Sequence, residues 1–127
     1  MLRAVETHEI VDGVIVFRIV GRPDTQAFIE VLRRVVEDDA IPDGLAILMD
    51  VREAKGSPTQ PQIRAVSEFF KRHDDAFGRR GMVVASKLQY GLARVSQALT
   101  HNRGMRMEIF WDENEALAAL RQRIAAG

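Results

Sequence analysis

Short runs of β-branched and aliphatic residues alternate along this chain with longer segments whose apolar residues recur every three or four positions, and no feature narrows its fold more. Val14-Ile15-Val16-Phe17-Arg18-Ile19-Val20 reads as a central strand. Before it, residues 2–11 alternate only loosely, as an edge strand does, and Asp12-Gly13 supplies the positive-φ residues of a tight hairpin. Gly21-Arg22-Pro23 breaks the strand. Asp24 or Thr25 then caps an amphipathic helix with the stripe Phe28, Val31, Leu32, Val35 and Val36. Its end falls near Asp38-Asp39, because two acids oppose the dipole of a last turn. After the turn Pro42-Asp43-Gly44, Leu45-Ala46-Ile47-Leu48-Met49 is continuous enough for a strand buried on both faces, ending in Asp50.

Residues 53–61 are the most loop-like stretch. Thr59-Gln60-Pro61-Gln62 has capping-box spacing and opens a second helix, striped by Ile63, Val66, Phe69, Phe70 and Phe77. Gly78-Arg79-Arg80-Gly81 reads as a loop with two exposed arginines, which could attract an anion or serve solubility alone, leading into a short buried strand, Met82-Val83-Val84-Ala85-Ser86. Leu88, Leu92, Val95 and Leu99 stripe a third helix, which His101-Asn102-Arg103-Gly104 closes. Met105, Met107 and Ile109 alternate with Arg106 and Glu108 in a half-buried strand. Asp112-Glu113-Asn114-Glu115 then caps a terminal helix with Leu117, Leu120 and Ile124 on its stripe. The order β-β-α-β-α-β-α-β-α predicts an α/β fold, a single mixed, mostly parallel sheet with helices packed on it. At 127 residues, without linker or repeat, the expectation is one domain over 1–127.

Composition excludes several functions. Eighteen basic residues balance eighteen acidic ones, so there is none of the positive excess that binding a nucleic-acid backbone calls for. With no cysteine there is no disulfide, thiol nucleophile or thiolate metal site. His8, His73 and His101 lack ligand spacing, so no metal is expected. Neither a Gly-rich phosphate loop nor a dinucleotide fingerprint occurs, and no cofactor is expected. No apolar run is long enough to span a membrane, and the charged N-terminus does not resemble a signal peptide, which points to the cytoplasm.

Three segments carry a resemblance to a known family. They are Leu45-Ala46-Ile47-Leu48-Met49-Asp50-Val51-Arg52, Tyr90-Gly91-Leu92-Ala93-Arg94, and Met107-Glu108-Ile109-Phe110-Trp111-Asp112 running into Glu115-Ala116-Leu117-Ala118-Ala119-Leu120. Together with the order of elements they resemble the SpoIIAA-like, or STAS-type, domains, closest to a branch of short stand-alone bacterial proteins related to lipid-binding CRAL-TRIO domains. These are packing and turn patterns rather than catalytic signatures. The resemblance implies a regulatory or protein-interaction domain, docking through the loop 53–62 and the second helix to an unidentified protein or to itself as a homodimer. The alternative it implies is a module for a lipid or other apolar small molecule.

In the anti-sigma-factor antagonists of that family, the loop after the third strand carries an Asp-Ser-(Ser/Thr)-Gly motif whose Ser is phosphorylated. Here Ser57 and Thr59 stand at about that place, with Lys55 and Arg52 near enough to pair a phosphate. Gly56 replaces the Asp, however, and Pro58 follows the Ser. On their own, Thr59 reads as an N-cap and Ser57 as a turn residue, which is the favoured reading because cap residues are commonplace. Asp50, at a strand's carboxyl end, is the best single acid–base candidate, with Ser86 and Lys87 ending the next strand. Convergent carboxylates or a nucleophile beside a base are missing, and a non-catalytic role is expected. Tyr90 and Gly91, close to Phe110 and Trp111, are the candidates for an apolar ligand pocket or a dimer contact. The plainer reading is helix–sheet packing, with Gly91 allowing close approach.

Overall fold

The computed structural model describes residues 5–22, 24–56, 58–100 and 107–121. Strands β1 (Val5–Val11) and β2 (Val14–Gly21) form an antiparallel hairpin. Its two turn residues, Asp12 and Gly13, both have positive φ, the geometry whose twist matches the flanking strands. There follow α1 (Thr25–Glu37), β3 (Leu45–Ala54), α2 (Gln60–Arg72), a single 3₁₀ turn at Asp74–Ala76, β4 (Phe77–Val83), α3 (Lys87–Thr100), β5 (Met107–Phe110) and α4 (Glu113–Arg121). The five strands form one mixed sheet in the order β1-β2-β3-β4-β5, parallel from β2 onward. The α/β expectation is met in element order and in sheet type.

Caps account for where the helices start. Asp24 accepts from Ala27 N at 3.1 Å and opens α1, which stops at the acid pair as expected, with Asp38 as its C-cap. Thr59 and Gln62 make the full reciprocal capping box of α2. Ser86, at the N-cap of α3, accepts from Gln89 N at 3.1 Å, while the Gln89 side chain accepts from Ala85 N at 2.7 Å. Asp112 accepts from Glu115 N and starts α4.

Three expectations are corrected. Strand β3 runs on past Asp50 to Ala54, because its charged residues Asp50 and Arg52 share one face and form ion pairs there. Phe77 is not on the second helix. The chain leaves α2 at His73 and begins β4 at Phe77, and the rings of Phe70 and Phe77 meet edge-to-face across that corner. Gly78-Arg79-Arg80-Gly81 is therefore strand rather than loop. The expected closing segment 101–104 and Ile124 lie outside the described residues.

Consecutive parallel crossovers of one hand place their helices on one face. Here Ile15, Phe17, Ile47 and Met49 bury with Phe28, Leu32 of α1 and Phe69, Phe70 of α2. The opposite face, Val14, Val16, Ala46, Leu48 and Val83, is covered by α4 through Ala116, Leu117 and Leu120. That single helix approaches closely because of Gly81. A Cβ there would lie 3.0 Å from Phe110 Cε2, 3.1 Å from Leu120 Cδ1 and 3.4 Å from Leu48 Cδ1. Leu48 and Leu120 are fully buried and cannot yield to solvent. Gly81→Val is expected to lower the unfolding free energy by about 1–3 kcal/mol, as overpacking does, with urea denaturation as the measurement.

Candidate functional site

Two features stand out at the carboxyl ends of the strands, one on each face. On the α4 face, Asp50 is buried among arginines. Arg52 donates from Nη2 to Asp50 Oδ2 at 2.7 Å and from Nε to Oδ1 at 2.9 Å, and the Arg52 backbone N also donates to Oδ1. Arg18 donates from Nη1 to Asp50 Oδ2 at 3.0 Å, and both arginines donate to Glu113 at the start of α4. Glu9 of β1 takes a further bond from Arg18. Burial opposes ionisation of Asp50, but the hydrogen bonds and charge of Arg52, supported by Arg18, hold its carboxyl below the usual range. Glu113 is held low by its bond from Arg18. Arg18 is raised by Glu113 and Glu9, and Arg52 by Asp50. A carboxylate locked in this way is a poor proton donor or acceptor near neutrality. The network is a brace joining β1, β2, β3 and α4.

On the other face lies an apolar cavity between the sheet and helices α1, α2 and α3. It measures about 150 Å³ to the centre of a water-sized sphere and opens to solvent at the strand ends. The sheet contributes Ile19, Met49, Val51, Met82 and Met107. Phe28 closes one side, Ile63, Val66 and Phe70 of α2 form the roof, and Leu92 and Ala93 of α3 the far wall. Ala54, Gly56, Pro58 and Gln89 rim the mouth. Gln89 donates from Nε2 to Val51 O at 2.8 Å, which ties α3 to the end of β3. Among the described residues α3 adds no side chain to either buried cluster and it touches chiefly α2 and β5, which leaves the cavity beneath it. Arg80 of β4 also lines the cavity, at 5% exposure.

The sequence-predicted residues divide between these places. Thr59 is the N-cap of α2, and Lys55 is exposed beside the mouth. Ser57 lies outside the described residues. Asp50 points to the opposite face of the sheet from this loop, so it does not join them. Ser86 is occupied as a cap. The proposed aromatic group is split between the two faces. Tyr90 stacks on Trp111 at 5.6 Å, but Phe110 is buried against α4 on the other face. Gly91 is exposed, and a Cβ there would meet nothing within 4 Å, so it permits no close approach. None of the four lines the cavity. The stripe assigned to α3 also turns: Leu88 (72%) and Val95 (43%) are exposed, and the inward side is Leu92, Ala93 and Ser96. Sequence reasoning misses the cavity, and it places Arg80 in an exposed loop where the structure buries it in β4. The apolar residues Met82, Met107 and Leu92 were all seen, but as ordinary core.

Among the described residues no group of three or more His, Asp or Glu side chains is placed to hold a metal ion, and no helix is long and apolar enough to cross a membrane. Asp50→Asn should cost about 1–2 kcal/mol at neutral pH, below the full value of charged hydrogen bonds because both arginines keep Glu113 and some water. Since Asp50 and Glu113 titrate lower when folded than unfolded, their stabilisation is complete above the ordinary carboxyl range. It is lost as pH falls through their folded values, from about pH 5 downward. Urea denaturation across that range should show a shallower acid loss in Asp50→Asn than in the native chain.

Compared by sequence, the chain matches no protein family and no curated protein at a significant level. By structure it is similar to a crystal structure from Shewanella loihica PV-4, described as an uncharacterised protein of the DUF3478 family with a SpoIIAA-like fold. The TM-score is 0.60 at 20% identity, over 84% of this chain and 83% of that one. The chain has a SpoIIAA-like α/β fold.

Proposed function

We propose that this is a non-catalytic binding module for an apolar small molecule, a single domain working in the cytoplasm. The cavity between the sheet and α1–α3 carries the reading: it is open at one end and walled almost wholly by carbon. Natural ligand sites have this character, a concave apolar chamber with few polar groups. Three methionines in its lining add adaptable, polarisable surface of the kind found at accommodating binding sites. Against catalysis, the best acid–base candidate is locked between two arginines on the other face.

Nile red, an uncharged dye, tests this. The native protein should bind it one to one with enhanced fluorescence. Leu92→Trp, which fills the chamber, should reduce affinity about tenfold or more while the thermal midpoint holds. Binding unaltered by Leu92→Trp would sink the reading.

A regulatory or protein-interaction role has its own observation, the exposed apolar side chains Leu88, Val95 and Trp111 (51%). If they join two copies, light scattering should give twice the monomer mass, and Leu88→Glu with Val95→Glu should return it to the monomer while leaving Nile red binding intact. A monomeric native protein at micromolar concentration removes the homodimer.

A further inference from the structure

Arg80 is the one charged side chain in the cavity wall that is almost fully buried. It faces Ile47 across the β3–β4 ladder, and Met107 across the β4–β5 ladder. Val51, near the mouth, is four residues further along β3, so Arg80 sits about 13 Å deeper at the rise of a strand. Phe70 lies against its guanidinium, with Cζ 5.1 Å from the ring centroid. Its Nη2 donates to Asp74 Oδ1 at 3.4 Å, a long bond to a side chain that is itself 70% exposed. Its Nε is buried with no hydrogen-bond partner, and among the described residues no other buried side-chain nitrogen or oxygen is left so.

A guanidinium taken out of water with a donor unmade is costly, and proteins keep such a group where something arrives to satisfy it. What it can accept is defined by chemistry. Guanidinium has donors only and a planar fork that matches a carboxylate through two parallel N–H···O bonds. Asp24, Ser67, Gln89 and Ser96 also line the chamber but present little polar surface, and its mostly carbon wall suits an alkyl chain lying along Met82, Met49, Ile63 and Leu92 toward the mouth.

We infer that Arg80 is the head-group anchor of the cavity, and that the ligand is a straight-chain carboxylate bound with its acid inward and its tail toward Gly56 and Pro58. The assignment rests on the apolar-ligand reading above and narrows it to one class. Asp74 is the resident partner that the incoming carboxylate supplements at Nε. Phe70 holds the fork in plane, because the cation stacks on its ring face.

Calorimetric titration with decanoate and with decanol tests this, since the two share a chain and differ in charge. The native protein should bind decanoate one to one and at least about tenfold more tightly than decanol. In Arg80→Met, decanoate should weaken about tenfold or more, the size expected for charged hydrogen bonds, while decanol stays the same. Arg80→Lys keeps the charge without the fork and should recover only part of the loss. Nitrogen NMR of the native chain should show the Arg80 Nε–H signal moving with decanoate and not with decanol, a readout that needs no variant to fold. Equal affinity for acid and alcohol would overturn the carboxylate assignment and leave the apolar chamber standing. A preference for acid that survives in Arg80→Met would overturn Arg80 as the anchor. Binding of neither compound would overturn the apolar-ligand reading and this assignment with it.

Discussion

The order of the strands governs everything else in this molecule. Because β2 to β5 lie side by side in chain order, the three helices that connect them share one face and α4 must cover the other alone. One helix can seal that face only by sitting close, which is why Gly81 stands beneath Leu120 and Phe110. Three helices crowd the opposite face, and α1 and α2 take the contacts nearest β2 and β3. The third is left leaning on α2 and β5, with a gap under it. Tight packing below the sheet and loose packing above it are thus one consequence of topology. Protein interiors are normally close-packed, so an apolar gap of this size carries lost contacts unless something occupies it.

How the chain treats its arginines sharpens the contrast between the faces. On the α4 face Arg79 has three nitrogens engaged, two on Glu108 and one on Ala119 O, and it joins β4, β5 and α4. Arg18 and Arg52 share Asp50 and Glu113 with short bonds throughout. Arg80, next to Arg79 in sequence, faces the other way by the alternation of a strand and makes one long bond. These carboxylates are all committed to the α4 face, where water still reaches the edges. The burial of Arg80 is therefore not part of a general brace. It is a separate feature of the cavity.

Much of the fold was legible because it follows from local chemistry. Asp12-Gly13, the Asp24 and Thr59 caps and the run 45–49 each dictate their own structure whatever surrounds them. The failures share one cause: a residue's role depended on a partner distant in sequence. Gly-Arg-Arg-Gly has loop composition, and only Phe110 and Leu120 against Gly81, and Glu108 against Arg79, explain why these residues sit in a strand. Phe77 follows Phe70 by seven residues, the spacing of a helix stripe, and the two rings do touch. They do so across a chain reversal that the spacing does not reveal. In α3 an apolar residue at every third or fourth place reads as a buried stripe. The helix turns Leu88 and Val95 outward because Gln89 is held by Val51 O and Ala93 faces the sheet. A cavity has no sequence signature, since its lining residues are the same ones that would fill a core.

The mouth of the cavity is held from both sides. Ala54, the last residue of β3, rims the cavity together with Gly56 and Pro58 of the connection to α2. Lys55 N donates to Gly21 O at 2.7 Å, so one end of this loop is fixed to β2. The other end is fixed by the Thr59 cap of α2. Gly56, with φ of 75°, is the bend between those anchors. Under the proposed reading, occupancy would be felt first at the start of α2, whose Ile63 and Val66 also line the chamber.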